Sequence, residues 1–250
     1  ETTGLDPEVD RIFLVAVGAP DGTAFTLEAE GDDDAAEADL LARLFATIRR
    51  LDPDVIENHN LHGFDLPFVA ARCAAVGVAM DLGRDPEFGA RKRAASRGAR
   101  LAGAPSDDPM RRARFTVAGR ELVDTLDAVR RYDFASRELP GHGLKAVARH
   151  LGLAREDREL IPGAMIADVH RRDPERVRRY AKDDVLEAKG LARMLGGAAF
   201  ALARMVPRRY ERLADAGAAT GVLDPLLVRA YVRERVALPS KAPSDGTEHT

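Results

Sequence analysis

The sequence predicts a mixed α/β domain followed by a helical extension. Three observations carry this. Short apolar runs bounded by turn residues come first, helical periodicity interleaves with further strand-like runs, and from 198 onward only helical patterns remain.

The elements follow in chain order. "RIFLVAV" (11–17) is a nearly continuous apolar run and predicts a buried strand. The turn signal "APDG" and then "GTAFTLEA" (22–29) predict a hairpin with it. Leu40, Leu41, Leu44, Phe45 and Ile48 recur at helical spacing and predict a helix over 35–50. "DVIENHN" (54–60) predicts a strand. Asp65 then precedes "LPFVAARCAAVG", a helix with proline in its first turn and a glycine stop. "RFTVAGRELVDT" (114–125) predicts two short strands or a hairpin, "LDAVRRYDF" a short helix, and "GLKAVARHLG" a helix ending at Gly152. The longest helix spans 174–195. Residues 198–236 are helical with a break near "AGAATG", and the tail from about 239 reads as disordered. The division is 1–195 for the domain and 196–250 for the extension.

Composition sets the bounds. With 250 residues, 45% hydrophobic and 32% charged, the chain suits one large domain plus an appendage. The net charge of −3 selects no partner class, so only local clusters bear on nucleic acid. The single cysteine, Cys73, excludes an intramolecular disulfide and suits a reducing cytoplasm. The longest apolar stretch, "MLGGAAFALA" (194–203), is flanked by Arg193 and Arg204 and is half the roughly 20 residues a membrane span needs. The opening "ETTGL" lacks methionine and reads as the middle of a longer protein. The histidines show no zinc spacing, and no glycine-rich phosphate loop occurs.

One segment, "RYAKDDVLEAKG" (179–190), sets two aspartates side by side. On a helix turning about 100° per residue, Val177, Tyr180, Ala181, Val185, Ala188, Leu191, Ala192 and Leu195 share one arc. Asp184 falls inside that arc, one turn after Tyr180. Asp183 falls outside it, among Arg179, Glu187 and Gly190, and is expected to face solvent. A carboxylate on a packing face needs a cationic partner, either an arginine or a metal. Two further carboxylates stand at junctions: Glu1 ahead of the first strand, and Asp65 where a strand-end residue, Asn60, leads into a helix. Taken singly, Asp65 reads as an N-cap and Asn60 as a turn residue.

Taken together, "ETTGL", the Asn60–Phe64–Asp65 spacing and the Tyr180–Asp184 spacing resemble the three exonuclease motifs of family B DNA polymerases. These belong to the DEDD 3′–5′ exonucleases with a ribonuclease H-like fold. "DTLDAVRRYDF", "LKAVARHLG" and "DPERVRRYAKDDV" are similar as well. "ALARMVPRRYERLADAG…LLVRAYVRERVALP" is similar to the segment joining exonuclease to polymerase in a bacterial and archaeal branch. In that pattern an aspartate stands two residues before Glu1. Arg179 occupies the position where a histidine-type member carries its histidine, so this chain is of the tyrosine type.

The resemblance implies phosphodiester hydrolysis at DNA 3′ ends with two ions, Mg²⁺ or Mn²⁺. Glu1 and Asp184 hold one metal, and Asp65 serves the second, directly or through water. Tyr180 orients the attacking water or touches the scissile phosphate. Thr2, Thr3, Asn60 and Phe64 contact the single strand, and Leu5 wedges against the terminal base. The implied partners are single-stranded 3′ ends, primer–template DNA and a polymerase domain in the same parent chain. Independently, the stretch 91–114 holds eight Lys/Arg, Arg91, Lys92 and Arg93 first, against two aspartates; it reads as a solvated insertion or as a contact to DNA phosphates. Two other readings stay open: an inactivated exonuclease fold that guides DNA, and a free-standing nuclease acting on DNA or RNA.

Overall fold

A computed structural model describes residues 1–94, 113–214 and 217–239. The predicted hairpin forms from β1 (Leu14–Gly18) and β2 (Ala24–Glu28), antiparallel with Leu14 opposite Glu28. Gly22 lies at φ +97°, where a side chain would be strained, and closes the turn. Helix α1 (Asp34–Leu51) starts at Asp33, whose carboxylate accepts from Ala36 N at 2.8 Å. It buries Leu40, Leu41, Leu44 and Phe45.

Strand β3 (Val55–Asn58) leads through one π-type turn, Leu61–Asp65, into α2 (Leu66–Ala75). Then come β4 (Arg91–Ala94), β5 (Ala113–Thr116) and β6 (Glu121–Asp124). β4 and β5 pair antiparallel, whereas β3 and β6 pair in parallel with Asn58 opposite Asp124. The strands thus form three two-stranded sheets, two antiparallel and one parallel, within the expected mixed α/β domain. The two-strand expectation for 114–125 holds, with one antiparallel bridge between Val117 and Arg120 at the turn. The two ends of the basic insertion pair as β4 and β5. Its residues 95–112, with Arg97, Arg100, Arg111 and Arg112, lie outside the described residues, as does the tail from 240.

The remaining elements are α3 (Thr125–Ser136), α4 (Leu144–His150), α5 (Ile166–Arg172) and α6 (Pro174–Leu195). Helix α6 crosses the β1–β2 hairpin so closely that a Cβ on Gly18 would stand 2.7 Å from Val185 Cγ1. Leu14, Val177, Tyr180 and Ala181 form one core cluster at that crossing.

The extension contains α7 (Gly197–Met205), α8 (Tyr210–Ala214) and α9 (Asp224–Arg233). Its first part is docked onto the domain. Leu122 N in β6 donates to Glu211 Oε2 at 3.1 Å, and Glu211 N donates to Glu121 Oε2 at 3.0 Å. A strand edge otherwise open to solvent is thus paired by a side chain. No helix among the described residues is long and apolar enough to cross a membrane.

Candidate active site

Parallel pairing of β3 and β6 brings both carboxyl ends to one edge, where Asn60 and Asp65 meet Asn58 and Asp124. Asp65 closes the π-type turn in right-handed helical conformation and does not cap α2. Its Oδ2 instead accepts from Asn58 Nδ2 at 3.0 Å. Burial lifts its carboxyl to about 7; Asp124 and, more weakly, Glu1 add to the lift, and the Asn58 bond opposes it. Asn60 is the left-handed residue (φ +64°) at the head of the turn, in keeping with its reading as a turn residue. Phe64 packs its ring against Phe68, with centroids 5.4 Å apart.

Asp184 sits on α6 one turn after Tyr180. Its Oδ2 accepts from Lys145 Nζ at 3.2 Å, and its Oδ1 is held by Arg158. Burial lifts its carboxyl to about 6 against the opposing pull of Lys145 and Arg158, with Glu1 adding to the lift. Tyr180 is buried between the same two cations. Lys145 Nζ lies 4.7 Å and Arg158 Cζ 4.8 Å from its ring centroid. Burial raises its phenol, Asp184 raises it further, and the bond from Lys145 opposes both.

The expectation that Asp183 faces solvent is corrected: its side chain is 12% exposed, against 23% for Asp184. Glu187, expected on the same solvated side, is buried and accepts from Arg158 Nε at 2.7 Å. The physical reason is the path of the segment after α4. Leu153 packs where Gly190 has no side chain, its Cδ2 3.2 Å from the position a Cβ would take. This draws residues 153–162 over that flank and places Arg155 and Arg158 each 3.8 Å from Asp183. Helical periodicity reports which face is apolar, but a neighbouring segment can bury a polar face by bringing its own charges.

Glu1 is half-buried beside β1, its carbonyl accepting from Phe13 N at 3.1 Å. Its charge is among the smaller contributions raising Asp65, Asp184 and Tyr180. Thr2 bridges Ile12 in the backbone, and Thr3 Oγ1 donates to Asp10 Oδ1 at 3.1 Å. Leu5 is 79% exposed, the condition a wedge requires. Arg91 and Lys92 are exposed at the base of the insertion. Arg91 stacks on Phe88 and Lys92 lies 5.6 Å from the ring centroid of Phe115. Arg93 stands opposite Arg114 in the strand register.

The donors Glu1, Asp65 and Asp184 are hard oxygens, right in kind for Mg²⁺ or Mn²⁺. The lifted carboxyls of Asp65 and Asp184 mark positions where a cation would favour the ionised form. Among the described residues, however, no three His, Cys, Asp or Glu side chains come close enough together to hold a metal ion. Four residues of this neighbourhood escaped the sequence reading: Asp124, Lys145, Arg158 and Glu187. Asp124 had a signal, since an aspartate ending an apolar strand before "TLDAV" is a helix N-cap pattern. Arg158, in an irregular segment, had none.

Comparison with known proteins points one way. A family model described as DNA polymerase family B, exonuclease domain, matches residues 33–147, a span that holds Asp65 and Asp124 but not Glu1, Tyr180 or Asp184. The chain is 28% identical over 196 residues to "DNA polymerase 2" of Aeropyrum pernix, covering 75% of this chain and 20% of that protein. It is 25% identical over 203 residues to a DNA polymerase of Archaeoglobus fulgidus, covering 80% of this chain and 22% of the relative. The chain thus spans about a fifth of the length of these relatives. In fold it resembles the family B DNA polymerase of the hyperthermophilic archaeon Pyrobaculum calidifontis. The TM-score is 0.68 at 25% identity, over 98% of this chain and 29% of that one.

Proposed function

We propose that this chain, which resembles the exonuclease domain of family B DNA polymerases in motif order, family match and fold, is a 3′–5′ proofreading exonuclease acting on single-stranded DNA ends. The observation that carries this reading is that Asp65 and Asp184, from distant parts of the chain, are both buried carboxyls within reach of the charge of Glu1. Both are lifted by burial, to about 7 and about 6.

We assign two divalent ions, Mg²⁺ or Mn²⁺, to Glu1, Asp65 and Asp184, with the aspartate expected two positions before Glu1 completing the set. When bound, such ions supply a hydroxide nucleophile and neutralise charge at the phosphate. The chain's own groups prepare the site. Tyr180, its ring against Lys145 and Arg158, takes the role of orienting water or phosphate in this reading. Asn60 and Phe64 line the strand's path, Thr2 and Thr3 contact the strand, Leu5 meets the terminal base, and Arg91, Lys92 and Arg93 meet phosphates. Residues 1–195 are the exonuclease unit. Residues 196–250 lead toward a polymerase domain of a cytoplasmic parent that binds primer–template DNA.

The test is a 5′-labelled single strand incubated in Mg²⁺ with the full-length polypeptide. Shortening from the 3′ end one nucleotide at a time, abolished by Asp184→Ala and by Asp65→Ala, supports the reading. Undiminished shortening by Asp184→Ala rejects it. One observation favours a second reading, an inactive DNA-guiding module: both oxygens of Asp184 are engaged by Lys145 and Arg158. Binding of the strand without cleavage in either metal would select that reading.

A further inference from the structure

We infer that Asp124 is a positioning residue for Asp65, acting through the backbone of the turn that carries it; the inference rests on the nuclease role proposed for Asp65. Asp124 is the last residue of β6, 5% exposed, and uses both carboxylate oxygens. Oδ1 accepts from Leu126 N at 3.0 Å, the ordinary N-cap bond of α3. The same oxygen accepts from Asn60 N at 2.8 Å, and Oδ2 accepts from His62 N at 3.1 Å. The last two bonds cross from β6 to the turn after β3.

That turn needs support. Asn60 is left-handed, and Leu61–Asp65 is a π-type turn closed by Leu66 N on Leu61 O. Both are sparsely populated conformations that persist only when their surroundings hold them. Asp124 grips the amides on either side of Leu61, where the left-handed residue enters the turn. Asp65 closes the turn, and its side chain bonds back to Asn58, the register partner of Asp124. Asp124, Asn58 and Asp65 thus form one closed unit at the carboxyl ends of β3 and β6.

Capping α3 alone would need one acceptor oxygen, which Ser, Thr or Asn also supplies. Two acceptor oxygens facing three amides need a carboxylate. Asp124→Asn therefore separates the roles: it can keep the Oδ1 bonds while presenting an NH₂ group to His62 N.

The experiment compares the full-length wild type, Asp124→Asn and Asp65→Asn by hydrogen exchange without metal and by single-strand hydrolysis with metal. For Asp124→Asn the inference expects exchange over 59–66 to quicken about tenfold while 125–128 keeps its protection. It also expects kcat to fall about tenfold or more at unchanged KM for DNA. Wild-type kcat in Asp124→Asn, with Asp65→Asn inactive, overturns the positioning role alone. Wild-type kcat in Asp65→Asn overturns the role of Asp65 and the inference with it. Should Asp124→Asn fail to fold, Asp124→Glu keeps both acceptors but displaces them by one methylene. A loss of kcat there at unchanged KM supports the inference, and wild-type kcat overturns it.

Discussion

The Lys145 ammonium rests 3.2 Å from Asp184 Oδ2, on the carboxylate proposed to hold a metal. Lysine and a divalent ion would compete for that oxygen. The lysine side chain is 37% exposed, so the pair is worth only about 1 kcal/mol. Lys145→Met should therefore lower the Mg²⁺ concentration for half-maximal hydrolysis by about fivefold. A magnesium titration of single-strand hydrolysis measures this, and a raised requirement would show that Lys145 assists the metal.

Asp184→Ala should abolish Mg²⁺-dependent degradation of single-stranded DNA, whereas Asp183→Ala should keep most of it. The buried flank changes the second expectation in one respect. Asp183 faces Arg155 and Arg158 at 3.8 Å, so its loss should also lower stability by about 1 kcal/mol. Urea denaturation alongside the nuclease assay reads both. Equal loss of activity in the two variants would place Asp183 in the site.

Asp65, Asp124 and Asp184 have carboxyls lifted by burial to about 7, about 6 and about 6, from an ordinary value of 3.8. The folded state then binds more protons than the unfolded state between those limits. The stability each group contributes is present below pH 3.8 and is lost as pH rises through its folded value. Asp65→Asn, which cannot ionise, should gain on the wild type as pH climbs from about 4 to about 7, by a few kcal/mol at most. Urea midpoints measured across that range check the sign, and a difference independent of pH would show that Asp65 is not lifted.

Glu37 is buried against Arg72, with Oε2 2.6 Å from Nη2, and its Oε1 accepts from Ile12 N at 2.8 Å. Arg72 also donates to the Pro7 carbonyl at 3.2 Å, so the pair ties α1 and α2 to the strand and loop that follow Glu1. Glu37→Ala would leave the buried guanidinium only Asp34, at 3.7 Å, and the Pro7 carbonyl, and should cost about 3 kcal/mol. Chemical denaturation tests this. A cost under 1 kcal/mol would mean that water reaches the arginine.

Neutralising Arg91, Lys92 and Arg93 together should reduce the slope of log K against log salt for single-stranded DNA by about 2, at roughly 0.7 per phosphate contact. An unchanged slope would return the base of the insertion to a solvated surface.

The legible part of this protein was the part written in local pattern. Apolar runs placed β1, β2, β3 and β6. Period-3.6 spacing placed α1 and α6, and Gly77 and Gly152, both at positive φ, stand just past the helices they were expected to stop. Spacing and resemblance singled out Glu1, Asp65, Tyr180 and Asp184 as candidates, since motifs keep fixed offsets along the chain. The N-cap reading of Asp65 failed because its carboxylate found Asn58 before the α2 amides.

Sequence by itself determined where helices and strands run and which stripe of α6 is apolar, since those follow from period and propensity along a short stretch. Tertiary structure alone decided what covers each face. It set Arg158 among Asp183, Asp184 and Glu187, gave Asp124 the amides of a turn sixty residues away, and sealed the edge of β6 with Glu211. These contacts depend on the path of irregular segments, which packing against features such as the bare flank at Gly190 selects, and no periodicity encodes such a path.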